Sequence, residues 1–280
     1  MSNPGSSLAE LCHLLRIPAP LEDCPGEPAF LHRRVKANAH LVCAGEAFDS
    51  LFVLANGFMK ASLIGTCGSE QVTAFPVKGD LLGVDALSID RHVTGIVALT
   101  DCEVVILPMS RIAQLGHDHP GLARSLLRLI AGELVREQAM VATLSMPSAE
   151  ARVAHFLIEQ GQRMKALGYS AREFVLRMTR RDIGSYLSLQ LETVSRTFSA
   201  MARAGLIDVE RRSVRLVDFE GLCALDSFAH GERSARASTV KPISWRTGDR
   251  PARAAPLRRV AAPAYSRAGV KRAMESVAQA

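Results

Sequence analysis

Between Thr179 and Ile207 the apolar positions fall into two short helical stripes separated by a turn, and the rest of the chain can be organised around this stretch. Thr179 followed three residues later by Asp182 is a capping-box-like pair, so the first helix is predicted to start at Thr179. Its inner face is Ile183, Tyr186 and Leu187. Gly184 costs about 1 kcal/mol of helix propensity relative to alanine, which close packing of a second helix would explain. In that second helix Val194, Phe198 and Met201 stand at i, i+4 and i+7 and form one inward stripe. On the other face Glu192, Ser195, Arg196 and Ser199 project together.

Upstream the period changes. From about Val35 to Pro108, β-rich runs such as LFVLA, QVTAF and EVVIL alternate with glycine-bearing turns at Gly45, Asn56-Gly57, Gly65, Gly68 and Gly79, which predicts a small barrel or jelly roll. Between Gly121 and Leu144 the pattern is helical. Leu127, Ile130, Leu134, Val141 and Leu144 lie on one stripe, and Leu126, Leu129 and Met140 on a neighbouring one. Two stripes call for two partners, one of which would be the barrel; a helix buried within one domain would show the same pattern. Met146-Pro147-Ser148 breaks the helix, and SAEARVAHFLIEQGQRM starts another that packs under the helix pair. The segment LAELCHLLRI predicts a short helix near the start of the chain.

The polar face of the second reader helix carries base-reading chemistry. Arginine matches the paired acceptors of guanine, glutamate accepts from the cytosine amino group, and serine serves either way. Around it crowd Arg177, Arg180, Arg181, Arg203, Arg211, Arg212 and Arg215, a supply of phosphate contacts. The run MTRRDIGSYLSLQLETVSRTF, followed by the hairpin-like LIDVERRSVRLV, resembles the winged helix-turn-helix of the CRP/FNR transcription regulators, the FNR branch most of all. The runs GEAFDSLFVLANGFMK, GSEQVTAF and GDLLGVDAL are similar to the cyclic-nucleotide-binding-type barrel of the same family.

The resemblance implies an α+β chain: a lead-in over 1–29, a sensor β-barrel over 30–115, a dimerisation helix over 116–146, and a winged helix-turn-helix over 147–225. It implies a non-enzymatic regulator that binds double-stranded DNA as a homodimer, on an inverted repeat of TTGAT-like half-sites. Glu192, Ser195 and Arg196 would read bases, and Thr179, Arg180, Arg181, Ser199 and Arg203 would hold the backbone. The loop Gly65 to Glu70 matches the family loop that touches RNA polymerase in activators, with Gly68 and Glu70 as its contacts. Two residues depart from the pattern: Ser188 stands where many members have glycine, and Gln190 where Ser or Thr caps the helix.

For cofactors the resemblance implies little. The oxygen sensors of the branch hold an iron–sulfur cluster on closely spaced N-terminal cysteines and one barrel cysteine. Here Cys12, Cys24 and Cys43 are 12 and 19 positions apart, and the distal ligand falls near Val105 rather than Cys102. In GDLLGVDALSIDRHVTG, Arg91 is followed by His92 and the family's glutamate is absent, so a cyclic phosphate lacks its convergent donors. No haem motif marks His13, His32, His40 or His92, and the pair His117 and His119 reads as a helix-entry loop rather than a metal site. No cofactor or metal is therefore predicted.

Composition adds the remaining constraints. The 280 residues suit two domains, and six scattered cysteines do not form a secreted disulfide framework. With no long apolar run and no basic leader, a cytoplasmic protein without a membrane segment is expected. The net charge of +6 is carried by residues 226–280, which hold 11 Lys/Arg against 4 Asp/Glu and predict a disordered basic tail. No paired catalytic motif, phosphate loop or metal set supports an enzyme. The competing reading is a small-ligand-binding regulatory module that acts on a protein partner.

Overall fold

The computed structural model describes residues 5–19, 30–65 and 68–226. Cys24, Cys67 and the basic tail beyond Asp226 lie outside them. The lead-in helix is α1 (Leu8–Leu15), started by a reciprocal capping box between Ser7 and Glu10.

The β-rich third of the chain forms two antiparallel four-stranded sheets. One runs β1 (His32–Val35), β8 (Cys102–Pro108), β3 (Ser50–Asn56), β6 (Leu81–Leu82). The other runs β2 (His40–Val42), β7 (Gly95–Ala98), β4 (Met59–Ile64), β5 (Glu70–Ala74). Along β3 the side chains alternate between two cores. Phe52 and Leu54 face the barrel interior with Met59, Ile96 and Val104, whereas Leu51 and Val53 face outward onto α1, with Val105 and Leu107. Both faces of this sheet are covered, which is why LFVLA reads as a continuous apolar run. The turns behave as their residues require: Gly45, Gly57, Gly68 and Gly79 all have positive φ.

After the barrel come α2 (Met109–Asp118) and α3 (Pro120–Leu144). The border drawn at 115/116 falls inside α2. The chain breaks at His119, where Pro120 opens the next helix because it has no N–H to continue the last one. Of the two stripes on α3, Leu126, Leu129 and Ile130 pack onto the α1 side of the barrel. Ile130 thus belongs to the barrel-facing row rather than with Leu127. The other row, Leu127, Leu134 and Val141, is 66%, 56% and 66% exposed at a strict seven-residue interval.

Ser148 caps α4 (Ala149–Ala166), the floor of the third core. Above it stand α5 (Arg180–Leu187) and α6 (Leu191–Arg203). A three-stranded sheet follows in the order β10 (Ile207–Glu210), β11 (Ser213–Leu216), β9 (Glu173–Val175), and α7 (Phe219–Leu225) closes on α4. Val72, Phe75 and Val77 of the barrel share this third core with the reader. Among the described residues no helix is long and apolar enough to cross a membrane.

Candidate nucleic-acid interface

The helix pair is built as its local sequence dictates. Thr179 is the N-cap of α5. Its Oγ1 accepts from the Asp182 amide at 3.1 Å, and the Asp182 carboxylate accepts from the Thr179 amide at 2.8 Å. Gly184 lies against the turn into α6: a Cβ there would stand 2.7 Å from the Leu189 carbonyl oxygen. Ile183, Leu187, Val194, Phe198 and Met201 are all buried, so α6 is anchored along the predicted stripe. Thr197, not singled out in the sequence, is buried as well; its position three residues after Val194 was the available signal.

Both departures from the family pattern have structural correlates. Ser188 takes the left-handed conformation, φ 52° and ψ 46°, that glycine adopts more readily. Gln190 is the N-cap of α6 and makes no side-chain capping bond.

The outward face of α6 presents Glu192, Ser195, Arg196 and Ser199, all exposed. The Ser199 hydroxyl donates back to the Ser195 carbonyl at 3.0 Å, and the Arg203 guanidinium reaches the Ser199 carbonyl at 3.4 Å. Arg181 is exposed. Arg180 is not: its guanidinium lies 3.3 Å from the centre of the Phe198 ring, and burial pushes its pKa down to about 10, still cationic at neutral pH. The Thr179 hydroxyl is engaged by the Asp182 carboxylate at 2.6 Å.

The hairpin β10–β11 projects Arg211 and Arg212 at its tip, Arg211 with φ 54°. Arg215 is tied to Asp208 across the hairpin at 2.7 Å, and Arg177 lies over the Phe58 ring of the barrel at 5.6 Å. Arg180, Arg177 and Arg215 are thus held by a ring or a carboxylate, Arg211 and Arg212 sit at the tip of the wing, and Arg181 and Arg203 flank α5 and α6.

Gly68 lies in the turn before β5, and Glu70 is the first residue of that strand. Glu70 faces the reader: its carboxylate pairs with Lys60 at 2.9 Å, and its carbonyl accepts from Ser185 at 2.8 Å. Lys60 also pairs with Asp182 at 2.9 Å. Burial pushes the Asp182 carboxyl up, but hydrogen bonds from Thr179 and Lys60 outweigh it and hold the group below the usual carboxylate range. Lys60, Gln71 and Ser185 drew no notice in the sequence. A lysine in the middle of the apolar run MKASLI was the one hint.

Residues 32–119 match the family model of a cyclic nucleotide-binding domain, and residues 151–225 match that of a Crp-like helix-turn-helix domain. The chain is 40% identical over 189 residues to the transcriptional regulatory protein btr of Bordetella pertussis, covering 68% of this chain and 78% of that one. It is 35% identical over 219 residues to the transcriptional activator protein anr of Pseudomonas aeruginosa, covering 78% and 90%. Among solved structures it is similar to FixK2 from Bradyrhizobium japonicum, with 27% identity, a TM-score of 0.66, and coverage of 71% and 98%. The chain belongs to the CRP/FNR family of transcription regulators. It is a DNA-binding regulator and not an enzyme, as the resemblance implied.

Among the described residues, two groups that the family implies, an iron–sulfur cluster and a cyclic phosphate, find a poor fit. Cys12 packs in the core outside the β1–β8–β3–β6 sheet with Val105, whereas Cys102 points into the barrel interior with Val104, so the two thiols lie on opposite faces of one sheet. In the turn after β6, the Asp85 carboxylate accepts from the amides of Val93 and Thr94 and from the Thr94 hydroxyl, at 2.8 to 3.0 Å. Asp85 thus occupies these donors with an internal carboxylate, while Arg91 reaches the Gly45 carbonyl. His13 and His40 are exposed, His32 bonds Ser6 and Glu103, and His92 packs edge-on against Phe48.

Proposed function

We propose that this CRP/FNR regulator acts as a homodimer on an inverted repeat of TTGAT-like half-sites about one helical turn apart, the spacing that two-fold symmetry sets for two reading helices. One observation carries the reading: Glu192, Ser195 and Arg196 stand exposed together on the face of α6 opposite its buried stripe. In the major groove Arg196 would address guanine, Glu192 cytosine, and Ser195 a neighbouring edge. Arg181, Ser199 and Arg203 would hold phosphates, with Thr179 at the start of α5. We assign Arg180 chiefly to bracing Phe198, and so the rear of α6.

The row Leu127, Leu134 and Val141 would pair with its copy, since a seven-residue interval is the seam of a left-handed two-helix coil. The name of the Pseudomonas relative favours activation, with the Gly68 to Glu70 loop meeting RNA polymerase. The placement of the thiols and of Asp85 supports a signal other than an iron–sulfur cluster or a cyclic phosphate.

The test is Arg196→Ala beside Arg181→Ala. The first is expected to cost about 1–3 kcal/mol on the specific duplex and to relax choice at its base pair, the second to weaken all duplexes alike. Equal losses on specific and random DNA in both variants would remove the base-reading assignment and favour a module that acts on a protein partner.

A further inference from the structure

The hinge at Met146 to Ser148 is the covalent link between the long helix and the reader, yet the reader is also held by the free edge of the barrel. Strand β5 ends its sheet, and its outer side is occupied by α5 instead of another strand. The Ser185 hydroxyl accepts from the Val72 amide and donates to the Glu70 carbonyl, both at 2.8 Å, and Gln71 Nε2 donates to the Ser185 carbonyl. Beside it Lys60, from β4, joins Glu70 to Asp182, the carboxylate that starts α5. Lys60 and Asp182 are only 15% and 11% exposed, so Lys60 is the cation that compensates the buried Asp182 charge. Phe75 of the barrel closes a three-ring cluster with Phe156 and Tyr186, at 5.1 to 6.2 Å between centroids. Asp80 pairs with Arg163 of α4 at 2.5 Å.

Resting on the reading above of a dimer on an inverted repeat, we propose that Lys60 and Ser185 are positioning residues for DNA binding: they clamp α5 to the edge of β5, so that the two reading helices are presented at one fixed separation. The clamp lies on the side of α5 away from the reading face, for Glu192, Ser195 and Arg196 stay exposed while it is closed. It therefore does not block the duplex. What it removes is the rotation that a three-residue hinge would allow, and a second half-site is engaged at high effective concentration only when the geometry is held. Because Lys60 grips the capping carboxylate of α5, any shift of β4 and β5 is delivered directly to the first helix of the reader.

The experiment uses the full chain with Lys60→Met, Ser185→Ala and Lys60→Arg, on duplexes carrying one half-site or two at graded spacings. The wild type is expected to prefer one spacing sharply. Lys60→Met and Ser185→Ala are expected to bind the single half-site as the wild type does, to lose about tenfold on the preferred full site, and to show a flattened spacing profile. Lys60→Arg, able to keep the ion pair, should restore the profile. A variant that loses the half-site too has lost the reader's fold, which thermal unfolding reports, and the other variant then decides. A wild-type profile retained in both variants overturns the proposal, as does tighter full-site binding, which would mean that the clamp holds the reader away from DNA. A wild type without any spacing preference would instead refute the dimer reading on which the proposal rests.

Discussion

Replacing Gly184 by alanine sets two effects of known sign against each other. Alanine is worth about 1 kcal/mol more than glycine in a helix interior. At this position, however, the added Cβ would lie 2.7 Å from the Leu189 carbonyl oxygen and 3.5 Å from a Val194 methyl. A relaxed C···O contact needs roughly 3.3 Å or more, so the turn must retreat by about 0.6 Å. The opposing group is backbone, and the Leu189 amide is itself bound to the Gly184 carbonyl at 2.8 Å. Overpacking of this kind costs about 1–3 kcal/mol, and weakening that hydrogen bond costs about 1 more. The net expectation for Gly184→Ala is a loss of about 1–3 kcal/mol, read as a lower urea midpoint, with specific DNA affinity falling more than non-specific affinity because α6 is pushed out of place. Gly132, in mid-α3, has open space where its Cβ would go, and Gly132→Ala is the control, expected to gain about 1 kcal/mol. A Gly184→Ala protein stabilised to the same degree as the Gly132→Ala control would refute the close-packing account of the helix pair.

Three further expectations rest on the same structure. Ser188→Gly relieves a left-handed residue, and Gln190→Thr supplies a missing capping oxygen; each should raise the urea midpoint by about 0.5–1 kcal/mol of stability, and no change in either would dismiss the strain and capping reading. His155 Nδ1 is hydrogen-bonded to the Asp226 carboxylate at 3.0 Å, and this bond, working against burial, raises its pKa above 6.5; the stability it adds is complete below pH 6.5 and fades as pH rises through the folded-state value, so His155→Gln should flatten the pH profile of unfolding on that side. Removing residues 227–280 is expected to make DNA binding less salt-sensitive, by about 0.9 in log-log slope for each phosphate that the tail had neutralised, without altering half-site choice; identical slopes would make the tail a solvated appendage.

The reader was legible because its determinants are local. A cap and its partner three residues apart, a glycine at a helix crossing and an apolar stripe at i, i+4, i+7 each declare themselves within one or two turns, and Thr179, Gly184 and Phe198 sit where that logic puts them. The barrel was legible as a class from LFVLA and EVVIL with their glycine turns, but not as a topology, since pairing β3 with both β8 and β6 joins residues far apart in sequence. The clamp was not legible at all. Lys60 and Asp182 are separated by 122 positions, and nothing around either one names the other. On α3 the periodicity showed two stripes but misplaced Ile130, because a helix of 3.6 residues per turn puts a residue at i+3 within reach of either row, and only the curvature of the barrel decides.

The edge of β5 has a further consequence for how this architecture can be divided. An unpaired strand edge is a template on which other chains can add strands, and proteins usually guard it with charge, a bulge or a cover. Here the guard is the reader itself, which satisfies the Val72 amide and the Glu70 carbonyl and seals Val72, Phe75 and Val77. A barrel cut off before the hinge would bare both that edge and those side chains, and it would be expected to self-associate. The barrel is thus expected to stay in solution only in the company of the reader, so the two are not expected to serve as independent cassettes, and a substitution on β5 is answerable to solubility as well as to DNA binding.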